Sequence, residues 1–140
     1  METTTTTILI VEDHGAVAGM IARFVERYVL GTNTVIVGSG EEALAYLASA
    51  DEDGSVMPDL VLVDVSLPGM SGIDLVGKLA KAYPQLLCLM LSGHKEPAYV
   101  QRSLALGARG YVAKGNPPAI VEGVRRVLDG EVYVSDDVAS

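Results

Sequence analysis

Three carboxylates, a hydroxyl and an ammonium each follow directly on a short apolar run. Glu12 and Asp13 follow Ile8-Leu9-Ile10-Val11, Asp64 follows Leu60-Val61-Leu62-Val63, Ser92 follows Leu86 to Leu91, and Lys114 follows Tyr111-Val112-Ala113. If each run is a buried parallel strand, the five polar segments meet at one edge of one sheet. Ligands of open α/β sheets gather in the crevice outside the carboxyl ends of the strands. Three carboxylates beside one ammonium repel one another unless a cation joins them, so the cluster argues for a metal. Magnesium suits it: that ion takes oxygen ligands, keeps several waters and binds one or two carboxylates beside a phosphoryl group.

Each residue type has a task it can perform. Glu12 and Asp13 are adjacent at a strand end, where pleating aims them apart, so one can ligate an ion directly and the other through water. Asp64 is the carboxylate best placed to act as a nucleophile, Ser92 can donate to a phosphoryl oxygen, and Lys114 can neutralise another. Together they supply what in-line phosphoryl transfer needs, which is mainly positioning and charge stabilisation. Taken singly, each has an ordinary reading. An Asp at a strand end is usually a cap or a solvated loop residue, and an acidic pair can complement a helix dipole. The joint order is specific: an acidic pair, an Asp, a hydroxyl and a Lys, after strands one, three, four and five.

The elements that must position these groups are legible. After a threonine-rich start, residues 1–7, expected to be a flexible N-terminus, strand one covers about Ile8 to Glu12. Val17, Met20, Ile21, Phe24, Val25 and Tyr28 form a helical stripe, with Gly31 as its stop. Thr34 to Val37 is a second strand. Ser39 and Glu42 have the spacing of a capping box, and their helix leads into a polar loop from Asp51 to Ser55. A third strand, about Asp59 to Asp64, precedes the Leu67-Pro68-Gly69-Met70 loop, and Ser71 and Asp74 mark a helix that stops before Pro84. Strand four is Leu86 to Leu91. Pro97 suits the first turn of the next helix, Gly107 its end, and strand five runs from Gly110 to Ala113. Asn116-Pro117 opens a last helix that buries Ile120, Val121, Val124, Val127 and Leu128 and ends at Gly130. Five strands alternating with five helices predict an α/β fold with a parallel sheet covered on both faces.

Composition bounds the rest. The 140 residues, 49% apolar and 20% charged, suit one folded domain. A net charge of -8, from 18 acidic and 10 basic residues, argues against nonspecific nucleic-acid binding. No apolar stretch approaches the ~20 residues of a membrane span, and the first residues lack the pattern of a signal peptide. The lone Cys88 lies inside an apolar strand and reads as a buried thiol of a reducing cytoplasm.

The chain resembles bacterial response-regulator receiver domains over roughly Thr7 to Gly130. The resemblance rests on Ile8-Leu9-Ile10-Val11-Glu12-Asp13, on the stretch from Asp59 to Gly72 containing Asp64-Val65-Ser66-Leu67-Pro68-Gly69-Met70-Ser71-Gly72, on Met90-Leu91-Ser92-Gly93, and on Gly107 to Lys114. It implies a doubly wound, flavodoxin-like, five-stranded sheet of order 2-1-3-4-5; a chemotaxis receiver is a standard example of that order. It further implies that Asp64 is the phosphoacceptor, and that Asp13, Asp64 and the Ser66 carbonyl ligate Mg2+ with help from Glu12. Ser92 would shift toward the phosphoryl group, Lys114 would pair with it, and Tyr111 would swing inward in the active state. Ser66 and His94, two residues beyond the acceptor and the hydroxyl, would influence the phosphoryl lifetime. The family commonly has Pro directly after the lysine, whereas Gly115-Asn116 intervene here, so no cis bond is assumed after Lys114.

The resemblance implies a domain over residues 8–130, a linker or tail over 131–140, a cytoplasmic location, and a sensor histidine kinase or phosphotransfer protein as partner. The last stretch, Val127 to Ser135, is similar to regulators carrying a C-terminal helix-turn-helix, so DNA would be reached only through a domain absent from this chain. Arg102, Arg109, Arg125 and Arg126 fall toward the later helices, where a solvated face explains them as well as a shared surface does, and they are not read as a DNA surface. A homodimer through the last strand and helices fits the resemblance without a chosen interface. Three rivals remain. A flavin module would need a donor-rich phosphate loop where Glu12-Asp13 stand. An aspartyl phosphohydrolase of the haloacid dehalogenase kind carries a second Asp where Ser66 stands. A degenerate receiver would act as a phosphorylation-independent interaction module.

Overall fold

The computed structural model describes residues 5–54, 56–93 and 96–138. Strands β1 (Thr6–Val11), β2 (Thr32–Val37), β3 (Leu60–Asp64), β4 (Leu87–Ser92) and β5 (Gly110–Ala113) alternate with helices α1 (Gly15–Tyr28), α2 (Gly40–Asp53), α3 (Gly72–Ala82), α4 (Pro97–Ala105) and α5 (Pro117–Leu128), and β6 (Tyr133–Val134) follows. All strand pairs are parallel, in the order β2-β1-β3-β4-β5-β6.

Side-chain alternation along the strands sorts the core into two layers. Ile8, Ile10, Leu60, Leu62, Leu89, Leu91 and Val112 pack with Ile21 and Val25 of α1 and Ile120, Val124 and Val127 of α5. Their neighbours Leu9, Val11, Val61, Val63, Cys88, Met90 and Tyr111 face the other way, onto Leu47, Ile73, Leu75, Leu79 and Val100 of the remaining helices. The strands are apolar at successive positions because both faces are covered.

The sheet has six strands, not the expected five. The extra strand comes from the stretch expected to be a tail: Tyr133 and Val134 pair with Gly110 and Tyr111. Two residues are too few to show a strand period, and the absent side chain of Gly110 opens the outer edge of β5 to another backbone. The N-terminal boundary also moves, since Thr6 and Thr7 pair with Thr32 and Asn33. β-branched threonine fits a pleated strand as well as it fits a frayed end; residues 1–4 lie outside the described ones. α2 runs on to Asp53, past the expected loop start at Asp51, and stops at Gly54 in a left-handed conformation, φ 76°.

The helix starts follow their polar residues. Ser39 Oγ accepts from Glu42 N at 3.1 Å, while Glu42 Oε1 reaches back to Gly38 N at 3.2 Å, one residue earlier than a regular capping box. Ser71 Oγ accepts from Asp74 N at 3.1 Å and Asn116 Oδ1 from Ala119 N at 3.3 Å. Among the described residues every peptide bond is trans. No helix among them is long and apolar enough to cross a membrane.

Candidate functional site

The ends of β1, β3, β4 and β5 bring the expected residues together. The same alternation that splits the core also splits the site. Glu12, Asp64 and Lys114 continue the face of Ile10, Leu62 and Val112, whereas Ser92 continues the face of Cys88 and Met90, on which Tyr111 lies. One side of the pocket is therefore ionic, and the other pairs a hydroxyl with a phenol.

On the ionic side, Lys114 Nζ lies 2.7 Å from Glu12 Oε1 and 2.9 Å from Asp64 Oδ2. Glu12 and Asp64 are 1% and 2% exposed, so both charges are held nearly out of water. Burial pushes the Asp64 carboxyl above its usual range and Glu12 pushes it further, against the opposing pull of Lys114 and the Ser66 amide. For Lys114, burial disfavours the charge, but the bonds to Glu12 and Asp64 outweigh it and hold the ammonium above its usual value. Asp64 Oδ1 accepts from Ser66 N at 3.2 Å, so the exposed Ser66 meets the aspartate through its amide.

On the other side, Tyr111 is fully buried and hydrogen-bonded to the Ser92 side chain. Burial raises the phenol's pKa, with Ser92 opposing and Glu96 and Tyr99 adding. Met90 and Tyr111 are register partners, which places Ser92 beside Ala113 and one residue from Lys114. Lys114 N donates to Ser92 O at 2.9 Å, tying the two loops together.

The donor set fits a divalent cation. Ligand atoms of Glu12, Asp13 and His14 lie within 4.8 Å of one another, and Asp64 is bridged to this group through Lys114. Three carboxylates against one ammonium leave two negative charges uncompensated in the cluster formed by these residues. Glu12 Oε1 is buried, with the Lys114 ammonium 2.7 Å away as its ion-pair partner. Hard oxygen donors with coordination to spare are what magnesium takes.

Two contributors escaped sequence reasoning. His14 was not singled out, yet its backbone N–H bonds Glu12 Oε2 at 3.0 Å and its Nδ1 lies 3.3 Å from the same oxygen. Its proximity to two acids follows only from the turn after β1. Gly72, the first residue of α3, donates its N–H to Val65 O at 2.9 Å. A Cβ there would overlap the Asp64 carbonyl oxygen and lie 2.8 Å from its carbon, so only glycine lets α3 start against the aspartate's backbone. His94 lies outside the described residues. Of the arginines toward the later helices, Arg126 bonds Glu122 at 2.8 Å and Arg125 bonds the Tyr28 carbonyl.

Comparisons with known proteins give the chain's relatives. The chain is 37% identical over 134 residues to the transcriptional activator protein ExaE of Pseudomonas putida, covering 95% of this chain and 60% of that protein. It is 31% identical to the response regulator UvrY of Escherichia coli, covering 94% of this chain and 58% of the relative. The chain thus spans about three fifths of the length of these relatives. Its fold superposes on a two-component response regulator of the LuxR family from Aurantimonas sp. with a TM-score of 0.86 at 27% identity, covering 96% of this chain and 93% of that one. Residues 8–130 match the model of the response regulator receiver domain, and the chain belongs to that family.

Proposed function

We propose that this domain is a phosphorylation-dependent switch in which Asp64 is the phosphoacceptor. The observation that carries the reading is the Lys114 ammonium bound at once to Glu12 and Asp64 at the mouth of the sheet. A carboxylate oxygen of Asp64 attacks phosphorus in line, the bond from phosphorus to the donor breaks, and the donor leaves with that electron pair. The product is an aspartyl phosphate. Lys114 stands where an added phosphoryl oxygen needs a positive charge, and Ser92, 1% exposed, supplies a hydroxyl shielded from bulk solvent. Mg2+ would be held by Glu12, Asp13, Asp64 and the Ser66 backbone, and when bound it supplies charge neutralisation for the transferring group.

The donor is a sensor histidine kinase or a phosphotransfer protein, and the site of action is cytoplasmic. In a longer protein of the kind represented by ExaE and UvrY, the switch would change a partner, dimer or output surface to regulate transcription. Ser92 and Tyr111 are the switch pair, since they are hydrogen-bonded and Ser92 ends β4, the strand paired with the acceptor strand β3. Ser66 and His94 tune how long the phosphoryl group lasts, and His94→Ala is expected to change its decay rate. Rapid turnover as a phosphohydrolase is disfavoured because Ser66 offers no acid at the second position after Asp64.

The test is intact mass after incubation with acetyl phosphate and magnesium. The expected result is the gain of one phosphoryl group, abolished by Asp64→Asn and by chelating the metal. An unchanged gain in Asp64→Asn would contradict the assignment.

A further inference from the structure

The segment after α5 is held more tightly than a connecting tail requires. Tyr133 N donates to Arg109 O at 3.0 Å, and Ser135 N donates to Tyr111 O at 3.1 Å. The tail is thus bonded to the backbone carbonyl of the buried Tyr111. Its seat is shaped for it: a Cβ at Gly110 would lie 2.5 Å from the Tyr133 carbonyl oxygen, and one at Gly123 would lie 3.3 Å from the Tyr133 ring. The Arg126 guanidinium covers that ring at 5.6 Å from its centroid. Beyond β6 the chain turns, with Val138 N bonded to Ser135 O at 3.0 Å. Val138, 2% exposed, joins the apolar cluster that contains Tyr111, Val100 and Ala113. Asn116 Nδ2 donates to Asp137 Oδ2 at 3.2 Å and ties the turn to the start of α5.

We propose that residues 133–138 form a latch that holds Tyr111 in its buried position against Ser92, and that a phosphoryl group on Asp64 strengthens the latch. The second half rests on the reading of Asp64 as acceptor. The coupling is positive for a chemical reason. A hydroxyl has one proton and two lone pairs, so the Ser92–Tyr111 pair can turn its hydrogen bond round, the phenol donating to Ser92. Ser92 is then free to give its proton to a phosphoryl oxygen without the pair breaking. The arrangement the tail enforces is therefore one in which Ser92 can serve a phosphoryl oxygen. By reciprocity, a group that engages Ser92 in that arrangement favours the docked tail.

The test measures hydrogen exchange at the Tyr133 and Ser135 amides before and after treatment with acetyl phosphate and magnesium, with intact mass taken on the same sample. Exchange is expected to slow by about fivefold or more on phosphorylation. Unchanged or faster exchange in a sample whose mass shows the phosphoryl group would overturn the coupling and leave the acceptor reading standing. A second arm needs no phosphorylation. Ser135→Pro removes the N–H that bonds Tyr111 O, and Val138→Asp places a charge in the apolar cluster. In either folded variant, checked by a cooperative melt, Tyr111 is expected to become nitrated by tetranitromethane while it stays protected in the wild type. Protection of Tyr111 in both variants, with the Tyr133 amide exchanging freely, would overturn the latch whatever Asp64 does. Failure to gain mass would count against the acceptor reading and the coupling, with the nitration arm still deciding whether the tail holds Tyr111.

Discussion

Lys114 Nζ bonds Asp64 Oδ2 at 2.9 Å across 50 residues of sequence, and the same ammonium stands 2.7 Å from Glu12. Two buried carboxylates thus share one cation. Burial and the Glu12 charge raise the Asp64 carboxyl despite Lys114. A carboxyl raised in the folded state contributes stability below its unfolded pKa, and that stability is lost as pH rises through the folded value. At neutral pH the ionised Asp64 therefore costs the fold something. Asp64→Asn is expected to raise stability by about 1 kcal/mol, a few degrees of Tm, in a metal-free melt. A lower Tm would contradict this balance.

Removing the cation has the opposite sign. Lys114→Met would leave Glu12 and Asp64 facing each other nearly out of water. The expected cost is about 3 kcal/mol, read from denaturant unfolding without metal. The loss should shrink at acid pH, where the carboxyls take up protons.

Magnesium is expected to raise the melting temperature of the wild type, because a ligand that binds only the folded state stabilises it in proportion to its saturation. Asp13→Asn removes a solvent-facing carboxylate of the proposed donor set without touching the Glu12–Lys114–Asp64 contacts. It should shift the magnesium titration to higher concentration while leaving the metal-free melt nearly unchanged. An unshifted titration would remove Asp13 from the donor set.

Gly72→Ala tests the backbone packing beneath the acceptor. The added methyl would overlap the Asp64 carbonyl, so α3 or the end of β3 must move. A destabilisation of at least about 2 kcal/mol is expected, together with slower phosphorylation by acetyl phosphate. Gly77→Ala serves as a control, since its nearest neighbours are Leu106 side-chain atoms at 3.7 Å or more.

Cys88 reports on the core. Burial pushes its thiol from 9.0 up to about 12. Being raised, it contributes stability that is intact below about pH 9 and is lost as the pH climbs toward 12. The folded protein should resist alkylation by iodoacetamide at pH 8, and the labelling rate should rise with denaturant in step with global unfolding. Fast labelling of the native state would contradict the burial.

Most of the framework was legible because the strands advertise themselves. Four apolar runs end in polar residues that cannot be buried unpaired, and that pattern marks Glu12, Asp13, Asp64, Ser92 and Lys114 in the sequence itself. The helix caps at Ser39, Ser71 and Asn116 were legible for a similar reason, since each side chain has one short-range task. What sequence did not reveal depends on contacts between distant segments. The two-residue β6 is stabilised by the bare backbone of Gly110, and neither half of that contact has a pattern of its own. Gly72 stands in the stretch that carries the resemblance, but the Asp64 carbonyl that excludes any side chain there belongs to a contact the sequence does not display. The assignment of Lys114 to both Glu12 and Asp64, and of Ser92 to Tyr111, follows from strand parity, which needs the register of β5 against β4.

The measurement that tests the central claim most directly is borohydride reduction of the acetyl phosphate-treated protein, followed by peptide mapping. Borohydride converts an aspartyl phosphate to homoserine, which marks the acceptor by residue. The account predicts homoserine at position 64 alone, present only when magnesium accompanied the phosphodonor. Homoserine at position 12 or 13, or an unreduced Asp64 in protein that has gained a phosphoryl group, would contradict it.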